Sequence, residues 1–553
     1  MQTEKNNLLI VPIGGLEQIG ANCTMIGYND QWIIVDLGIA FYDKFGIEIL
    51  TPDISFPLSV KKNIKGIFVT HAHEDHIGAI PYLWPQLQCP IYLTGFPMVV
   101  LKQKLSEFSW KDKVEINMVH PKQRMNIGEF EVEYVSLAHS ILGACGIYIR
   151  TPAGKIFHTG DWKIDKTPLL GDEVDEKRLI EIGKEGVDCL LCDSTNVLNE
   201  DQIGSETDVK EALTRVISKY GDKRVTVTCF SSNIARIDTI FNIAKKFGRR
   251  VAIIGRSMYK MINAVSDTAY FSDTFKATVN SILTDEEVAN MPPEKVLLVC
   301  TGSQGESRSA LYRLARGENK FIKLGKRDVV LFSSKVIPGN ELNIRDMQNL
   351  LVRKEVEIVT TDMEDDIHVS GHPNKEAIAK MYDWLTPRSL IPIHGDARML
   401  YAQRDFAETK GIPEIFIAES GDKIKVLDGK LEKLAHMSFA FNALDGNDLI
   451  PLNSLAIRER NLMSHNGYVS VSFALSKNND LIGFPSIVVR GIHIDKNNIK
   501  KIENIVRKII ATEIVKNKDD IKLLKRECEI SIKKLITRNF EKKPIVTVHT
   551  HSV

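Results

Sequence analysis

Long apolar stretches are missing from this sequence: none reaches the roughly 18 residues that a membrane span needs. The N-terminal residues also lack a basic head followed by a long apolar run, so no secretory signal is expected. An excess of either charge is absent too, because 72 lysines and arginines stand against 71 aspartates and glutamates. A phosphate-binding surface, if there is one, must therefore be local and built from a few placed groups.

Cysteine is scarce, with eight residues in 553, and most of these lie within apolar runs. Cys189 and Cys192 have CxxC spacing, but on a strand their side chains would point to opposite faces. Buried free thiols are therefore predicted for Cys189 and Cys192, and a zinc knuckle or a redox pair is the alternative. Free thiols fit a reducing compartment, and we predict a cytoplasmic protein that does not enter membranes.

The chain is long enough for two to four domains. Residues 1–205 alternate short apolar runs with turn residues, which predicts sheet. Residues 206–365 alternate strands with helices, which predicts a parallel α/β domain whose first helix is capped by Ser205 or Thr207. Small polar loops follow its strands, one of them at 333–341. They should line one side of a cleft, because ligands of open α/β sheets lie beyond the carboxyl ends of the strands.

The remaining chain is predicted in three parts. Residues 366–440 contain a helix and a strand, 441–465 have the composition of an irregular linker, and 466–553 form a small α/β domain that ends in a strand. Two amphipathic helices are predicted in the last part, with apolar stripes at Ile502, Ile505 and Ile509 and at Ile521, Leu524, Cys528, Ile532 and Leu535. Its many basic residues are interspersed with acids, so a solvated surface is favoured over an RNA-contacting one.

The strongest chemical signal is the hexapeptide HAHEDH at residues 71–76, which directly follows an apolar strand. Imidazole nitrogens bind Zn²⁺ at about 2.0–2.1 Å and carboxylate oxygens at about 2.0–2.2 Å. Three histidines and an aspartate within six consecutive residues are too many to share one ion comfortably. Two sites are therefore predicted, with His71 and His73 at one and Asp75 and His76 at the other. A polar surface turn is the alternative.

Three later residues are candidates to complete these sites. His139 and Asp161 each follow an apolar strand, and His394 lies at the end of another. Taken alone, His139 is more typical of a hydrogen-bonded histidine and Asp161 of a turn, but the upstream metal motif favours metal binding. An aspartate can bridge two cations and a histidine cannot, so Asp161 is the candidate bridge. His158 is predicted to support the TGD turn at residues 159–161.

Taken in order, these motifs resemble a known family. HxHxDH, a single histidine, TGD and a late histidine resemble the metallo-β-lactamase superfamily, and CDSTN, SGH and PIHG resemble its β-CASP branch. Over the whole chain the sequence resembles bacterial ribonuclease J through GGLEQIGAN, HAHEDHIGAIPYL, HTGDWKID, CDSTN, TGSQGE, IPGNE, HVSGH and PIHGDARML. This resemblance implies an α/β fold: a metallo-β-lactamase αββα sandwich (1–205 and 366–440), an inserted parallel β-CASP domain (206–365), a linker and a small C-terminal α/β domain.

The resemblance also implies two zinc ions per chain and the residues that bind them. The first ion would be bound by His71, His73, His139 and Asp161. The second would be bound by Asp75, His76, the same Asp161 and His394. Two such ions lower the pKa of a shared water towards about 7, so in-line attack of hydroxide on phosphorus is the implied chemistry.

Roles in catalysis and RNA binding follow from the same resemblance. Asp193 would orient His394 or another ligand. His372 would lie beside the scissile phosphate and protonate the leaving 3′-oxygen, and Asp75 is the candidate base. The RNA phosphate would be bound by two loops: Ser231, Ser232 and Asn233, and His368, Val369, Ser370, Gly371 and His372.

The implied activity is hydrolysis of RNA to 5′-phosphate and 3′-hydroxyl ends in RNA maturation and decay. Members of this family combine 5′-to-3′ exonuclease activity, with a preference for 5′-monophosphate, and endonuclease activity. The implied partners are RNA, further copies of the chain (a dimer or tetramer through the C-terminal domain) and an RNA-degradation complex.

Three other functions remain open. They are a DNA nuclease of the same branch, a small-molecule hydrolase such as a thioesterase, and a non-catalytic RNA-binding scaffold. His394 favours RNA, since DNA-repair members generally lack a histidine there. The large inserted domain argues against a small open site, and the presence of all seven candidate ligands argues against an inactive scaffold.

The chain departs from the family pattern at four places, one of which is Cys229 in TCFSSN, predicted to be a buried small residue. Glu17 stands where members commonly have glycine, the loop after His139 reads Ser-Ile-Leu-Gly in place of Ser-Ile-Pro, and Ser307-Arg308 replaces Pro-Met. These changes spare every proposed ligand, so they bear on substrate fit and rate more than on metal binding.

Overall fold

The structure is a computed structural model that describes residues 6–200, 204–266, 268, 270–271, 273–337, 339–364, 366–517 and 519–553. Pro338, within the predicted 333–341 loop, lies outside the described residues. The chain divides into two compact units, one of Met1–Phe41 with Leu50–Phe439 and one of Tyr42–Ile49 with Ala440–Val553. In this described part, no helix combines the length and the apolar character that a membrane span requires.

Two large mixed sheets form the base of the first unit. The eight-stranded sheet has the order Lys430–His436, Asp422–Leu427, Leu8–Gly14, Cys23–Tyr28, Gln31–Val35, Ile64–Phe68, Ile91–Leu93 and Ile116–Met118. The seven-stranded sheet has the order Arg124–Ile127, Phe130–Ser136, Cys145–Thr151, Gly154–His158, Cys189–Asp193, Ser389–Ile393 and Glu414–Ile415. Their facing sides share one apolar core, to which Leu8 and Ile26 contribute from the first sheet and Val132 and Ile156 from the second.

Helices cover the outer faces of the two sheets. A second core joins the seven-stranded sheet to the helices Glu176–Glu185, Lys375–Leu385 and Ala397–Thr409. On the other side lie the helices Ser55–Ser59, Ile80–Leu87 and Gly95–Leu105, and Phe56 packs edge-on against Trp32 of the eight-stranded sheet. The predicted αββα sandwich is therefore confirmed.

The cysteines behave as predicted. Cys189 lies in the core between the sheets and Cys192 in the core beneath the helices, so their side chains point to opposite faces of one strand. All eight thiols are unbonded and buried. Neither a disulfide nor a CxxC metal site is formed by this pair.

The predicted parallel α/β structure is present, and its elements run from Glu206 to Val359. The five parallel strands have the order Arg250–Ile254, Val296–Cys300, Arg224–Thr228, Asp328–Phe332 and Glu357–Val359. The accompanying helices are Glu206–Ser218, Ile234–Lys246, Arg256–Ser266, Asp273–Val279, Asp285–Ala289, Ala310–Arg316 and Glu341–Val352. Ser205 caps the first helix in a capping box with Asp208, which confirms one of the two predicted caps.

The second unit contains a three-stranded sheet and most of a four-stranded sheet. The four-stranded sheet has the order Asp448–Pro451, Asn442–Asp445, Ile47–Thr51 and Ala40–Lys44. The three-stranded sheet has the order Leu481–Arg490, Tyr468–Leu475 and Ile545–Ser552, with the helices Leu455–Asn466, Lys496–Asn517 and Ile521–Phe540. The predicted final strand is confirmed, and its His549 and His551 are exposed.

Two expectations for this region are wrong. Residues 441–465 are not irregular, since they form a hairpin and a helix. The Asp445-Gly446 turn is a hairpin signal between strands of only four residues, too short for a clear periodic pattern. Ile505 is also 40% exposed. The buried stripe of its helix is instead Ile502, Val506, Ile510 and Ile514.

Candidate metal centre

The HAHEDH segment begins three residues after the strand Ile64–Phe68 ends. Its second half is not a loop, as the sequence suggested, because Glu74–Ile77 forms one helical turn preceded by His73. The turn is fixed by backbone hydrogen bonds, among them Leu37 N–H to the carbonyl of His76. The ligand-type side chains are therefore held on rigid backbone.

A first donor set consists of His71, His73, His139 and Asp161, whose donor atoms all lie within 4.8 Å of one another. Nδ1 of His73 lies 3.1 Å from Nε2 of His71 and 3.0 Å from Nε2 of His139. Oδ2 of Asp161 lies 3.6 and 3.8 Å from the same two Nε2 atoms. A tetrahedral ion with bonds of about 2.0–2.1 Å has ligand atoms about 3.3 Å apart, so these donors fit around one zinc ion.

A second donor set consists of Asp75, His76, Asp161 and His394. Oδ2 of Asp161 lies 3.3 Å from Nε2 of both His76 and His394, and Oδ2 of Asp75 lies 3.6 Å from each. One carboxylate oxygen of Asp161 thus takes part in both sets. Its other oxygen, Oδ1, is buried and has no hydrogen-bond partner among the described residues. A buried carboxylate without enough protein donors fits a cation-binding role.

The electrostatics of the first set suit metal binding. Burial lowers the pKa of His71 and His139 well below the usual range, and that of His73 to about 4. These imidazoles are therefore neutral at pH 7 and can donate a lone pair. Burial would raise the pKa of Asp161, but His394 and the other histidines around it hold that pKa well below its usual range. The bridging candidate is therefore ionised.

Asp36 orients ligands of both sets, and the sequence analysis missed it. Its Oδ2 accepts from Nδ1 of His76 at 2.7 Å and from the hydroxyl of Thr70 at 2.8 Å. The Thr70 hydroxyl also lies 3.0 Å from Nδ1 of His71. Each histidine thus has its Nδ1 occupied by a supporting group and directs its Nε2 towards a donor set. The available signal was an aspartate directly after the apolar strand QWIIV, the same pattern that identified Asp161.

Asn22 is a second residue that the sequence analysis missed. Its Oδ1 accepts from Nδ1 of His394 at 2.9 Å, and its Nδ2 donates to the carbonyl of Asp75 at 3.0 Å. One buried amide therefore connects two members of the second donor set that are far apart in the sequence. Asn22 lies within the GGLEQIGAN motif, but nothing in the sequence pairs it with His394.

Replacing Asn22 with leucine is expected to weaken metal binding at the second set by about 10- to 100-fold, as loss of groups that orient metal ligands generally does. The first set keeps its own supports, so its affinity should change little. Zinc titration followed by isothermal calorimetry measures the two steps separately. If Asn22→Leu binds zinc at both steps with the same affinities as the wild type, this role is contradicted.

Asp193 contacts His372 and not His394. Its Oδ2 lies 2.8 Å from Nδ1 of His372, which is not one of the seven proposed ligands, so the expectation that it orients His394 or another ligand is wrong. Burial alone lowers the pKa of His372, but the carboxylates of Asp193 and Asp161 outweigh it and raise that pKa to about 9. Nδ1 of His372 also lies 3.9 Å from Oδ2 of Asp161. His372 is thus a cationic side chain at the edge of the two donor sets.

The 368–372 loop meets the first donor set through its backbone. The carbonyl of Gly371 accepts from Nδ1 of His139 at 2.6 Å. A Cβ at Gly371 would lie 2.8 Å from Oγ of Ser140, so this approach requires glycine. Val369 and Ser370 are partly buried, and the Ser370 hydroxyl accepts from the backbone N–H of His372. Two of the five predicted loop residues, Gly371 and His372, therefore lie beside the donor sets.

The other predicted phosphate loop, 231–233, follows the strand Arg224–Thr228. Ser231 and Ser232 are partly exposed there. The side chain of Asn233 is buried, caps the helix Ile234–Lys246 by accepting from the N–H of Arg236, and lies 3.4 Å from Oε1 of Glu206. Its amide is thus committed to the fold, which leaves only its backbone for a substrate.

Two further residues show how the site backbone is held. Nδ1 of His158 accepts from the N–H of Gly160, which confirms its predicted support of the turn before Asp161. Glu17 has a φ of 57° in a two-residue strand that pairs with Gly395–Asp396. Glycine adopts this left-handed conformation without the cost of a side chain. The family's preference for glycine at this position therefore has a conformational reason.

A separate cluster of Glu419, Asp422 and His436 also has donors within 4.8 Å of one another. The Asp422 carboxylate there is already paired with Nζ of Lys433 at 2.6 Å and with His436 at 2.8 Å. A cation would have to displace the lysine, so this cluster is an ion-pair network and not a metal site.

Four segments that together make up most of the chain match known protein families. Residues 17–175 match the metallo-beta-lactamase superfamily, and residues 222–351 match the ribonuclease J beta-CASP domain. Residues 358–418 match the Zn-dependent metallo-hydrolase RNA specificity domain, and residues 455–553 match the ribonuclease J C-terminal domain. The four matches follow one another along the chain in the order that the sequence resemblance implied.

Individual proteins are similar over nearly the full length. Ribonuclease J of Sinorhizobium meliloti is 35% identical, with 99% of this chain and 97% of that protein covered. Ribonuclease J of Helicobacter pylori strain B128 is 32% identical, with 99% and 80% covered. A crystal structure of a protein of unknown function from Enterococcus faecalis V583 superposes with a TM-score of 0.54 at 18% identity, covering 76% of this chain and all of that one. This last likeness concerns the fold alone.

Proposed function

This chain belongs to the ribonuclease J family of metal-dependent ribonucleases, and on that premise we propose that it is a two-zinc enzyme that hydrolyses RNA phosphodiester bonds to 5′-phosphate and 3′-hydroxyl ends. The observation that carries the proposal is the pair of four-donor sets that share Oδ2 of Asp161. A shared carboxylate is the arrangement that two-metal hydrolases use to hold ions about 3.5–4 Å apart.

The donor chemistry favours zinc. The first set offers three imidazoles and one carboxylate, and the second offers two of each. Imidazole-rich sets of four suit Zn²⁺, whereas Mg²⁺ and Ca²⁺ prefer six or more oxygen ligands. When bound, two such ions supply Lewis acidity and a water nucleophile at neutral pH. The residues proposed to bind them are His71, His73, Asp75, His76, His139, Asp161 and His394.

Three residues are proposed to act on the reacting groups. Asp75 is the candidate base for the nucleophile, because its carboxylate lies in the second donor set and its side chain is 23% exposed. His372 is the candidate acid for the leaving 3′-oxygen, since it lies beside both sets and its Nδ1 donates to Asp193. Asp193 holds that imidazole in one orientation and stabilises its protonated form.

The RNA chain is proposed to be held by the 231–233 and 368–372 loops. The hydroxyls of Ser231 and Ser232 and the backbone of both loops are neutral donors that can surround a terminal phosphate. The next phosphodiester would then lie at the donor sets, which favours 5′-to-3′ exonuclease activity on 5′-monophosphorylated RNA. Endonuclease cleavage would use the same centre without the terminal contact.

Three RNA substrates separate these activities. With a 5′-monophosphorylated, a 5′-triphosphorylated and a circular RNA of the same sequence, we expect fastest loss of the monophosphorylated strand, slower cleavage of the circle, and no cleavage with a chelator. A single-stranded DNA of the same sequence is the control for nucleic-acid class and should be cleaved poorly. Cleavage of DNA in preference to RNA, or full activity in the chelator, would contradict the proposal.

The biological setting belongs to the same proposal. RNA maturation and decay in the cytoplasm, assembly into dimers or tetramers through residues 466–553, and membership of an RNA-degradation complex are the expected context. Exposed apolar side chains in the second unit, such as Phe484 and Val515 at 77% and 82% exposure, support an assembly surface there. The domain boundaries after residues 205, 365 and 440 are part of this proposal, whereas a boundary after 465 is not, because it would divide the helix Leu455–Asn466.

A further inference from the structure

Arg236 is a fully buried charged side chain outside the donor sets. Its Nε and one terminal nitrogen donate to the two carboxylate oxygens of Glu206, each at 2.9 Å, as a bidentate pair. The other terminal nitrogen lies 2.6 Å from the hydroxyl of Ser333, 3.2 Å from the carbonyl of Ser333 and 3.4 Å from the carbonyl of Ile367. One guanidinium thus contacts three separate chain segments.

Two of these segments are the places where the chain enters and leaves the parallel α/β region, and the third follows one of its strands. Glu206 is the first residue of the helix that opens the region, and Ser333 directly follows its strand Asp328–Phe332. Ile367 lies where the chain returns towards the metal centre, and its carbonyl also accepts from the Ser333 hydroxyl at 2.6 Å. Arg236 therefore ties both crossing points to one helix.

Both proposed RNA loops adjoin the junction formed by Arg236, Glu206, Ser333 and Ile367. Ile367 immediately precedes the 368–372 loop, whose Gly371 carbonyl binds His139. Arg236 lies three residues after Asn233, and its backbone N–H donates to that side chain at 3.0 Å. A movement of the guanidinium would change the distance between the two loops.

The junction is also connected to the base of the metal centre. The backbone N–H of Glu206 donates to Oδ2 of Asp165 at 3.2 Å, and Nζ of Lys163 binds the same oxygen at 2.9 Å. The N–H of Lys163 donates to the carbonyl of Ala138, the residue before His139. Contacts therefore run without a break from one donor set to Arg236 and back through the 368–372 loop.

A buried ion pair is a costly way to join segments. Burial would raise the pKa of Glu206, yet Arg236 holds it at about 2, so both groups are charged. Apolar residues of similar volume are often at least as stabilising in such places. What they cannot supply is a planar fork whose donors reach a carboxylate and two carbonyls at fixed angles. The geometry of the guanidinium is therefore the property that this site uses.

We propose that Arg236 is a positioning residue that sets the separation of the 231–233 and 368–372 loops and thereby the affinity for the 5′-terminal nucleotide of RNA. The inference rests on the proposed function and names a specificity determinant for it. Arg236 reaches the substrate only through these loops, so its loss should affect binding more than chemistry.

The test is a variant in which both charges are removed, Glu206→Gln with Arg236→Met, so that no unpaired ion is left buried. We expect KM for 5′-monophosphorylated RNA to rise about 10- to 100-fold, the loss of affinity that corresponds to one or two hydrogen bonds to the terminal phosphate no longer being made. The rate constant kcat and the metal content should stay close to wild type. Binding of an uncleavable phosphorothioate RNA, measured by fluorescence anisotropy, should weaken in parallel.

A matched control lies at the opposite end of the same sheet. Arg224 and Asp328 form another buried pair, with Nε to Oδ1 at 2.6 Å and a further bond to the carbonyl of Lys323. Arg224→Met with Asp328→Asn removes the same kind of interaction far along the strands from the loops. It is expected to change thermal stability without changing KM.

The KM values of these variants decide whether Arg236 positions the two loops. Unchanged KM in the folded Glu206→Gln, Arg236→Met protein, or an equal rise in the control, overturns the positioning role. If that protein does not fold, Arg236→Lys takes its place, and it should fold and show an intermediate KM because lysine keeps the charge but loses the fork. A wild-type KM in Arg236→Lys then counts against the proposal. Failure of the wild-type protein itself to bind or cleave RNA would instead refute the proposed function.

Discussion

Asp161→Ala is expected to lower the rate of RNA cleavage by about 10⁴-fold or more. Removing one electrostatic group at a reaction centre typically costs about 10²- to 10³-fold, and Asp161 belongs to both donor sets. The variant should also lose both metal ions. Cleavage rate and metal content, the latter by inductively coupled plasma mass spectrometry, are the two measurements.

Two comparisons make the Asp161 result specific. His73→Ala removes a donor from the first set only and should leave about one ion per chain, together with a large loss of rate. Asp112→Ala changes an exposed aspartate and should leave both properties unaltered. A purified Asp161→Ala protein with near wild-type turnover would refute the assignment of Asp161 as the shared ligand.

His372→Ala is expected to reduce kcat by about 10²- to 10⁴-fold, the usual contribution of a general acid. Metal content should be unchanged, because His372 lies in neither four-donor set. The reduction arises because the leaving 3′-oxygen loses its proton donor. Single-turnover cleavage of saturating RNA measures it without interference from product release.

An RNA with sulfur in place of the bridging 3′-oxygen tests that role directly. A thiolate leaves without being protonated, so His372→Ala should cleave this linkage at close to the wild-type rate. His120→Ala is the matched control, since His120 is exposed and lies in no donor cluster of the described residues. If sulfur substitution does not restore cleavage in His372→Ala, the histidine has another role.

The part of the site that the sequence revealed is the part encoded locally. Residues 71–76 stand next to one another, so their chemistry is visible without a fold. Asp161 and His394 could be added because each follows an apolar strand, and strand ends gather at one edge of a sheet. The structure brings all seven proposed ligands together from these distant positions.

What the sequence hid depends on tertiary contacts. Asn22 and Asp36 act only through hydrogen bonds to histidines at other strand ends. The sequence around a single polar residue after a strand does not indicate which residue it contacts. Asn233 was assigned to the substrate, although helix capping and phosphate binding draw on the same residue types. Arg236 lies in an ordinary amphipathic helix, and only its burial distinguishes it.

The difference between long local patterns and short or ambiguous ones also explains which parts of the fold could be predicted. The alternation of strands and helices predicted the parallel sheet, because each periodic run is several residues long, whereas the sandwich was implied by the family resemblance. The hairpin at Asn442–Asp445 and Asp448–Pro451 escaped, since strands of four residues carry too little pattern. Ile505 was wrongly assigned to the buried stripe of Lys496–Asn517, because isoleucines occur on more than one face of that helix.

A metal titration of the chelator-stripped protein tests the central claim most directly. Zinc is added stepwise, and RNA cleavage and bound metal are followed in the same samples. If two ions bind at the sets that share Asp161, cleavage is absent without metal and reaches its maximum only as the second equivalent binds. Full cleavage by the metal-free protein, or saturation of binding with fewer than two ions in a fully active sample, would contradict it.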